Sequence, residues 1–398
     1  MESWDLDGSS QRLPVSVLTG FLGSGKTTVL NYLIQQPALG RTLVLINEFG
    51  EIGLDHDLVT HSKDDAVIEM SSGCLCCTIR GDLAKSLREA PGRFARGGEL
   101  WFDRVVIETT GLADPAPILH TLMTEPAITR RYRLDGVIAT IDAINGCDTL
   151  DRQIESVKQA AVADRLIITK ADLVDADALH RLQDRLRVLN PAAPQIIAEN
   201  GVTDPASLFD AGLYDPRTKS LDVQNWLKAE AYAEPHDHEH GHEHGHEHGH
   251  EHGHEHGTAD HGHAHPHEHN VNRHDAHIKA VCLTIDEPIR SDAFDLWLET
   301  LLLFRGANLL RVKGIVNVVD MEGPVVIHGV QHIFHPAVML KEWPSEDRRS
   351  RIVFITRDIQ ESALRETLKM LSNAEVQQPE LGPRESGDSE VARYQAGP

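Results

Sequence analysis

The chain contains 398 residues, which is too long for one small domain, so we expect at least two hydrophobic cores. Its 38 Lys and Arg are outnumbered by 61 Asp and Glu, and the net charge of -23 argues against nucleic acid or an anionic membrane as a partner, because their phosphates would be repelled. The first residues lack the charged and apolar stretches of a secretory signal, and no run approaches the ~18 apolar residues of a membrane span. We therefore expect a soluble cytoplasmic protein.

Residues 13–225 alternate short apolar strands with helical patterns, after a polar segment, 1–12, that we expect to be disordered. The predicted strands are PVSVLT, TLVLIN, RVVIET, GVIATID, RLIITK and QIIAE. The predicted helices include KTTVLNYLIQQ, PAPILHTLM, ADALHRLQDRLRVL and one that begins at about Asp151. Continuous apolar strands separated by helices indicate a parallel sheet covered on both faces. The fold class predicted here is a doubly wound α/β domain.

A phosphate-binding loop (P-loop) is predicted at GFLGSGKTT, Gly20 to Thr28, which matches G-x-x-x-x-G-K-[ST] between a strand and a helix. Backbone N–H groups of the glycines can close around a phosphate, Lys26 can reach β and γ oxygens, and the Thr27 hydroxyl can bind Mg²⁺. The alternative is a glycine-rich turn without a ligand. The residues predicted to contact the nucleotide here are Gly20, Gly23, Ser24, Gly25, Lys26, Thr27 and Thr28.

A second element of a nucleotide triphosphatase is a carboxylate at the end of a neighbouring strand. Glu108 ends the strand RVVIET and can hold Mg²⁺ or its water. The N–H of Gly111, which follows shortly after, can meet a γ-phosphate. A solvated acid at a strand end is the alternative interpretation of Glu108.

The tetrapeptide TKAD, Thr169 to Asp172, overlaps the end of the strand RLIITK and is the candidate for reading the base. Asp172 can accept two hydrogen bonds from N1 and N2 of guanine, a donor pair that adenine lacks, and Lys170 can lie along the ring. The pattern K-x-D also occurs by chance, and only its position after a late strand favours a base-binding role. The prediction is that Thr169, Lys170 and Asp172 contact the guanine of GTP.

The segment NEFGEIGLD, Asn47 to Asp55, follows the second predicted strand and carries three carboxylates among glycines. Its position after the P-loop helix is typical of a switch that γ-phosphate and Mg²⁺ order and that hydrolysis releases. An ordinary surface loop is the alternative.

Three of the chain's five cysteines, Cys74, Cys76 and Cys77, lie between the strand-like AVIEM and a helix expected from near Ile79. In an extended segment residues two apart face the same side, so Cys74 and Cys76 can reach one ion, and the turn into the helix can bring in Cys77. Three thiolates favour Zn²⁺, Cu⁺ or Co²⁺ and leave one tetrahedral position open, which suits transfer of the ion. A redox-active thiol pair and simple packing remain as alternatives.

An odd number of mostly clustered cysteines does not form a disulfide framework, which agrees with a reducing compartment. Cys147 and Cys282 are isolated in the sequence. We expect both to be core residues.

The composition changes in residues 226–275, which hold tandem H-E-H-G units and most of the chain's 25 histidines. Glycine and charge at this density cannot bury a core, so we expect a disordered linker. Imidazole binds Zn, Ni and Co, so weak multi-site metal binding is the leading interpretation, with a solubilising linker as the alternative. Such a segment can raise the local concentration of ions near the cysteines.

Order returns in residues 276–372, where strands such as IKAVCLTI, LLRVKGIVNVV, PVVIHGV, HIFHPAV and RIVFIT dominate. Helices are predicted at DAFDLWLETLLLF and ESALRETLKML. These elements predict a smaller α+β domain. The polar tail, 373–398, is expected to be disordered.

The motifs GFLGSGKTT, NEFGEIGLD, SSGCLCC, ETTGLADP and TKAD, in this order and followed by RVKGIV, resemble the CobW family of P-loop GTPases. This family of metallochaperones includes zinc-dependent metalloprotein activators. The resemblance covers about residues 13–200 and, more loosely, 276–371. It implies GTP hydrolysis coupled to delivery of a metal, with Glu51 as the switch-loop carboxylate that matches a metal-associated position.

The same resemblance implies GTP, Mg²⁺ and Zn²⁺ as cofactors or cargo, with Co²⁺ or Ni²⁺ as alternatives, and an apo client metalloprotein as partner. A homodimer is left open. The chain departs from many GTPases in carrying Thr169 where they have Asn, and in lacking an obvious glutamine to position the attacking water. Glu48 or Glu51 is the candidate for that role beside Lys26 and Glu108, and slow intrinsic turnover is expected.

Three other functions fit parts of the sequence. A metal-storage protein would depend on the histidine segment, and cobalt handling for cobalamin synthesis is another alternative. A small-molecule kinase would use the P-loop but leaves the cysteine cluster without a role.

Overall fold

The structure is a computed structural model that describes residues 12–49, 67–72, 77–97, 99–209, 277–319, 321–335 and 337–372. Several predictions lie outside the described residues. They concern the N-terminal segment before residue 12, most of the switch segment, the histidine-rich segment, the tail, and the domain boundary at 225.

The first domain is built from strands and helices that alternate along the chain. Its strands are β1 (Leu13–Gly20), β2 (Thr42–Phe49), β3 (Val67–Ser72), β4 (Ala95–Arg96), β5 (Glu99–Leu100), β6 (Arg104–Thr109), β7 (Tyr132–Asp142), β8 (Arg165–Thr169) and β9 (Gln195–Ala198). Its helices are α1 (Lys26–Ile34), α2 (Cys77–Arg93), α3 (Ala116–Thr124), α4 (Pro126–Thr129), α5 (Gly146–Arg152), α6 (Ile154–Val162), α7 (Ala176–Leu189) and α8 (Pro205–Leu208).

Seven of these strands form one sheet in the order β3-β2-β6-β1-β7-β8-β9, and each neighbouring pair is parallel. The two short strands β4 and β5 pair with each other. Because carboxyl ends of parallel strands share one edge, the loops after β1, β2, β6, β7 and β8 open on the same side of the sheet. The predicted doubly wound α/β fold is confirmed.

Both faces of this sheet are covered by helices. Successive side chains of a strand point to opposite faces, so neighbouring residues of one strand pack in different clusters. Val17 of β1 packs in a cluster with Leu87 of α2 and Leu119 of α3. Its neighbour Leu18 packs in the opposite cluster with Leu30 of α1. Each fully buried Leu of this kind contributes roughly 1.5–3 kcal/mol. The central position of β1 is thus stabilised from two sides.

Two helices of this domain begin earlier than predicted. The helix expected from about Asp151 begins at Gly146 and is interrupted at Gln153, whose φ of -121° and ψ of 105° are extended. A Cβ on Gly146 would lie 3.0 Å from a methyl of Leu182, so glycine lets α5 start in close contact with α7. Helix α2 begins at Cys77 instead of near Ile79.

The second domain contains a sheet and two helices. Its strands are β10 (Ile278–Ile285), β11 (Leu309–Val316), β12 (Val325–Val330), β13 (Ile333–Phe334), β14 (Val338–Met339) and β15 (Ser350–Arg357). Its helices are α9 (Ser291–Arg305) and α10 (Glu361–Ser372). The strands pair antiparallel in the order β10-β15-β11-β12-β13, with β14 on β12. This confirms the α+β prediction, although the strand predicted at HIFHPAV is divided into β13 and β14.

The antiparallel sheet is covered on one face by its own helices and on the other by the first domain. Trp297 of α9 is buried with its ring centroid 6.3 Å from that of Phe354 in β15. On the opposite face, Ile315 and Val330 join the cluster of α2 and α3, and Leu310 joins the cluster of α6 and α7. Apolar residues of the two domains therefore pack together in two clusters. None of the described helices is long and apolar enough to cross a membrane.

Candidate functional site

The P-loop connects the carboxyl end of β1 to the start of α1, at the centre of the parallel sheet. Gly25 precedes α1 with a φ of 88°, a left-handed conformation that residues with a side chain rarely adopt. Gly20 is enclosed as well, since a Cβ there would lie 2.2 Å from Thr140 Oγ1. The glycines of the motif are therefore needed for the shape of this loop.

Ser24 and Thr28, both predicted to contact the nucleotide, have different surroundings. The Ser24 hydroxyl lies 2.6 Å from Thr140 Oγ1, and the Ser24 N–H donates to the carbonyl of Phe21 at 3.1 Å. The hydroxyl and the N–H of Ser24 are thus both engaged within the protein. Thr28 is exposed, and the loop after β9 lies against it, because a Cβ on Gly201 would be 2.9 Å from the Thr28 carbonyl oxygen.

Thr27 and Glu108 are brought together by the pairing of β1 with β6. Thr27 Oγ1 donates a hydrogen bond to Glu108 Oε1 at 3.0 Å, and Glu108 is 6% exposed. A hydroxyl and a carboxylate at this distance are hard oxygen donors of the kind that Mg²⁺ prefers. The residues present fit the ion that the P-loop motif implies.

Lys26 is the first residue of α1 and is largely buried beneath the P-loop. Its Nζ donates to the carbonyl of Phe21 at 3.2 Å. The ammonium group therefore lies at the loop whose backbone would enclose a phosphate. The contact of Lys26 with phosphate oxygens stays a prediction.

Gly111 lies in the loop that follows Glu108, and this loop packs against the P-loop. A Cβ on Gly111 would lie 2.7 Å from the backbone nitrogen of Leu22, too close for any other residue without movement. Gly111, whose N–H is predicted to meet the γ-phosphate, is thus in direct contact with the P-loop.

The three residues predicted to read the base occupy distinct positions. Thr169 is buried, and its hydroxyl donates to the carbonyl of Ser24 at 2.8 Å. Lys170 Nζ donates to the carbonyl of Gly23 at 2.9 Å and to Asp142 Oδ2 at 2.7 Å. Asp172 is exposed. Thr169 and the Lys170 ammonium therefore anchor the P-loop, while Asp172 is exposed to solvent.

Asp142, at the end of β7, was missed in the sequence. Its Oδ1 accepts from the N–H of Ile144 at 2.7 Å, and its Oδ2 accepts from Lys170 and from Asn145. Burial opposes its ionisation, but the hydrogen bonds from Lys170, Ile144 N and Asn145 outweigh burial and lower the pKa of the Asp142 carboxyl. The signal available was its place at the carboxyl end of a strand beside β1.

Asp114, in the loop after β6, was missed too. Its Oδ2 accepts from Lys158 Nζ of α6 at 2.9 Å and from Gln331 Nε2 at 3.4 Å, at the turn between β12 and β13. Its Oδ1 accepts from the N–H of Ala116 at 3.0 Å and so supports the start of α3. The loop that carries Gly111 is therefore attached to both domains. The nearby motif residues offered no signal for these partners, because they are distant in sequence.

The predicted metal-binding residues are only partly within the described chain. Cys74, Cys76 and Glu51 lie outside the described residues, and Cys77 is the first residue of α2. Glu48 lies near the end of β2, opposite Ser71 of β3. Strand β3, which precedes the cysteine segment in the sequence, therefore lies beside the strand that carries Glu48. Among the described residues, no group of three or more His, Cys, Asp or Glu is arranged to hold a metal ion.

Cys147 and Cys282, expected in the core, are half-buried and free. Cys147 packs at the border of the cluster formed with α6 and α7. Burial raises the pKa of the Cys282 thiol to about 11, although Arg351 and Arg365 oppose this rise. Cys282 is therefore protonated near neutral pH.

A cleft of about 350 Å³ lies beside the P-loop, between Phe21 and the segment that includes α5 and the start of α6. Its lining includes Thr140 and Asp142 from the end of β7, and Ser156 from α6. This cleft lies at the carboxyl edge of the sheet, where α/β proteins bind ligands.

Two family models match the chain in order. The model described as the CobW/HypB/UreG nucleotide-binding domain matches residues 14–197. The model described as the C-terminal domain of the cobalamin synthesis protein CobW matches residues 278–372. The matched ranges coincide closely with the two structural domains.

Individual relatives carry names that refer to zinc. Zinc chaperone YjiA of Escherichia coli (strain K12) is 27% identical over 355 residues, which is 89% of this chain and 96% of YjiA. Zinc-regulated GTPase metalloprotein activator 1 of Schizosaccharomyces pombe is 34% identical over 226 residues, so the chain spans 54% of that protein. The crystal structure of Zn(II)-bound YjiA GTPase has a TM-score of 0.59 at 27% identity, over 90% of this chain and 99% of that chain.

Proposed function

This chain belongs to the CobW family of P-loop GTPases, and from that premise we propose that it is a GTP-hydrolysing metallochaperone. In this proposal it binds zinc at Cys74, Cys76 and Cys77 and transfers the ion to a client metalloprotein, with transfer coupled to hydrolysis. Relatives named zinc chaperones support the cargo. The observation that carries the GTPase part is the 3.0 Å contact between Thr27 Oγ1 and Glu108 Oε1.

In the proposed hydrolysis, the P-loop backbone and Lys26 bind the β and γ phosphates. Thr27 and Glu108 hold Mg²⁺, which when bound neutralises charge on the phosphate oxygens. Water attacks the γ-phosphorus, the bond to the β-γ bridging oxygen breaks, and GDP and inorganic phosphate leave. Glu48 at the end of β2 is the candidate for orienting the water. Asp172, which is exposed, is the candidate for guanine recognition.

The proposed cargo site uses thiolates because soft ligands retain Zn²⁺ or Co²⁺ in preference to Mg²⁺. Glu51, water or a client residue fills the fourth position in turn, and Ni²⁺ remains an alternative ion. The cysteine segment follows β3, which pairs directly with the strand that carries Glu48. This adjacency supports control of metal affinity by the nucleotide state.

The proposal is tested by measuring zinc affinity with a competing chromophoric chelator. The affinity is expected to differ between the complex with a non-hydrolysable GTP analogue and the GDP complex. Cys76→Ala is expected to abolish tight 1:1 binding, because it removes one of three ligands, and to leave nucleotide binding largely unchanged.

Cys282→Ala is the matched control for that measurement. Because the pKa of this thiol is raised to about 11, its loss is expected to leave tight zinc binding intact. Equal zinc affinity in the two nucleotide states would remove the coupling from the proposal. Tight binding that survives Cys76→Ala would place the cargo site elsewhere.

A further inference from the structure

Gln159, in the middle of α6, makes two hydrogen bonds to one loop. The residue is 0% exposed, and its Nε2 donates to the carbonyl of Gly111 at 3.1 Å and to the carbonyl of Ala113 at 3.0 Å. Because carbonyl oxygens only accept, both amide hydrogens of Gln159 are used and the orientation of its amide is determined. The neighbouring helix positions that face the core, Val157 and Ala160, are apolar.

The two carbonyls belong to the loop between Glu108 and α3, which also touches the P-loop. Lys158, the residue before Gln159, forms an ion pair with Asp114 of the same loop at 2.9 Å. Helix α6 thus holds this loop at three points over four residues. Helix packing alone would accept an apolar side chain at residue 159, so the polar contacts indicate a role in holding the loop.

We propose that Gln159 is a positioning residue for recognition of the γ-phosphate. The hydrogen bond to the Gly111 carbonyl restricts the backbone dihedral angles of Gly111, a residue that otherwise has unusual conformational freedom. Together with the bond to the Ala113 carbonyl, it holds the backbone on the C-terminal side of Gly111 and so limits movement of the Gly111 N–H. This inference rests on the proposed function, in which that N–H binds the γ-phosphate of GTP.

The contacts of Gln159 are expected to strengthen the binding of GTP but not of GDP. We call the contacts of Gln159 and Lys158 with this loop the clamp. A loop that is already held in place loses less conformational entropy when the γ-phosphate binds, so the clamp stabilises the GTP complex. GDP lacks the γ-phosphate and does not use this contact. Loss of the clamp therefore lowers the preference for GTP over GDP, whereas a general loss of stability does not.

The experiment compares the full-length wild-type chain with Gln159→Leu, which keeps a similar volume and removes both donors. Dissociation constants are measured for a fluorescent non-hydrolysable GTP analogue and for fluorescent GDP, both with Mg²⁺. We expect about tenfold weaker binding of the GTP analogue and less than about twofold change for GDP. The kcat for GTP is expected to fall as well, because the loop is less well ordered in the transition state.

Asn190 provides a matched control. Its buried amide donates to the carbonyls of Ala160 and Ala163, both at 2.9 Å, at the carboxyl end of the same helix. Asn190→Ala is expected to lower thermal stability. It should leave unchanged the ratio of the dissociation constant for GDP to that for the GTP analogue. Lys158→Met, which removes the ion pair to Asp114, is a second variant and is expected to lower the ratio by a smaller factor.

The outcomes separate this inference from the proposed function. If Gln159→Leu and Lys158→Met both keep the wild-type ratio, the clamp has no role in γ-phosphate recognition. A ratio that falls equally in Asn190→Ala would also overturn the inference, since the effect would then follow from stability alone. If the wild-type chain binds neither nucleotide, the proposed function fails and this inference with it.

Discussion

Thr27 and Glu108 lie 81 positions apart in the chain and meet through a single hydrogen bond at 3.0 Å. Each residue alone has an ordinary role at a helix start or a strand end. Together they present a hydroxyl and a carboxylate beside the P-loop, which is a suitable arrangement for Mg²⁺. Thr169 and Lys170 likewise act as a pair, because both bind carbonyls of the P-loop.

The residue-scale prediction concerns Thr27→Ala. If the Thr27 hydroxyl binds Mg²⁺, this change weakens GTP binding in the presence of Mg²⁺ by about tenfold or more, since a ligand of the ion is lost. In EDTA the variant and the wild-type chain should bind equally. The measurement is a titration with fluorescent GTP under both conditions. Thr28→Ala serves as the comparison, because any loss there should be the same with and without Mg²⁺.

At the scale of elements, the loop between β6 and α3 is the junction of the molecule. Gly111 contacts the P-loop, Asp114 accepts from α6 and from the turn between β12 and β13, and α3 follows directly. His120 of α3 lies 3.2 Å from the carbonyl of Val330 in β12. A shift of this loop would therefore change its contacts with the second domain.

The element-scale prediction is that Gly111→Ala disrupts the contact between this loop and the P-loop. The added Cβ would lie 2.7 Å from the Leu22 nitrogen, so one of the two loops must move. We expect at least about tenfold weaker binding of a GTP analogue. Gly81→Ala in α2 is the matched control, because a Cβ there has open space and favours the helix by up to ~1 kcal/mol. Unchanged GTP binding in Gly111→Ala would contradict the assigned contact.

For the whole molecule, a buried ion cluster joins the two domains. Asp164, the residue before β8, accepts from Arg311 at 2.7 Å and from Lys313 at 2.6 Å, and both cations come from β11. Burial alone would raise the pKa of this carboxyl. The charges of Arg311 and Lys313, with hydrogen bonds from Lys313 and the N–H of Val137, outweigh burial and hold the pKa of Asp164 well below its usual value. The ionised form is therefore the one that stabilises the folded protein.

The whole-molecule prediction concerns Asp164→Asn and its pH dependence. At pH 7 the change should cost roughly 3–5 kcal/mol, because two buried cations lose their partner. Since the folded pKa is depressed, the contribution of Asp164 is complete above the unfolded pKa of about 3.9, begins to decrease below it, and is lost fully only as the pH falls through the lower folded pKa. Thermal unfolding at pH 7 and pH 3 should therefore show a large difference from wild type at pH 7 and a smaller one at pH 3.

Asp148→Asn is the control for that pH comparison. Asp148 pairs with Arg152 on the surface, with side chains that are 61% and 73% exposed. Loss of such a pair is expected to change stability by less than ~1 kcal/mol at either pH. A difference between Asp164→Asn and wild type that is equally large at pH 3 would contradict the role given to the carboxylate charge.

The sequence by itself determined the strands of the first sheet, the P-loop and the division into two domains, because apolar runs and glycine spacing are local signals. Even so, it missed the break at Gln153 and the early start of α5 at Gly146, where the absence of a Cβ allows close contact with Leu182 of α7. The predicted cargo site stays a prediction, because Cys74 and Cys76 lie outside the described residues.

Only the tertiary structure decided which polar residues meet. In the sequence Gln159 is one polar residue of a predicted helix. No neighbouring residue indicates that it is buried against the loop of Gly111. Arg311 and Lys313 stand in a strand pattern 147 and 149 positions from Asp164. The physical reason is that a buried polar group needs a hydrogen-bond partner. Strand order and helix packing determine which residues lie near it, and both depend on the whole chain.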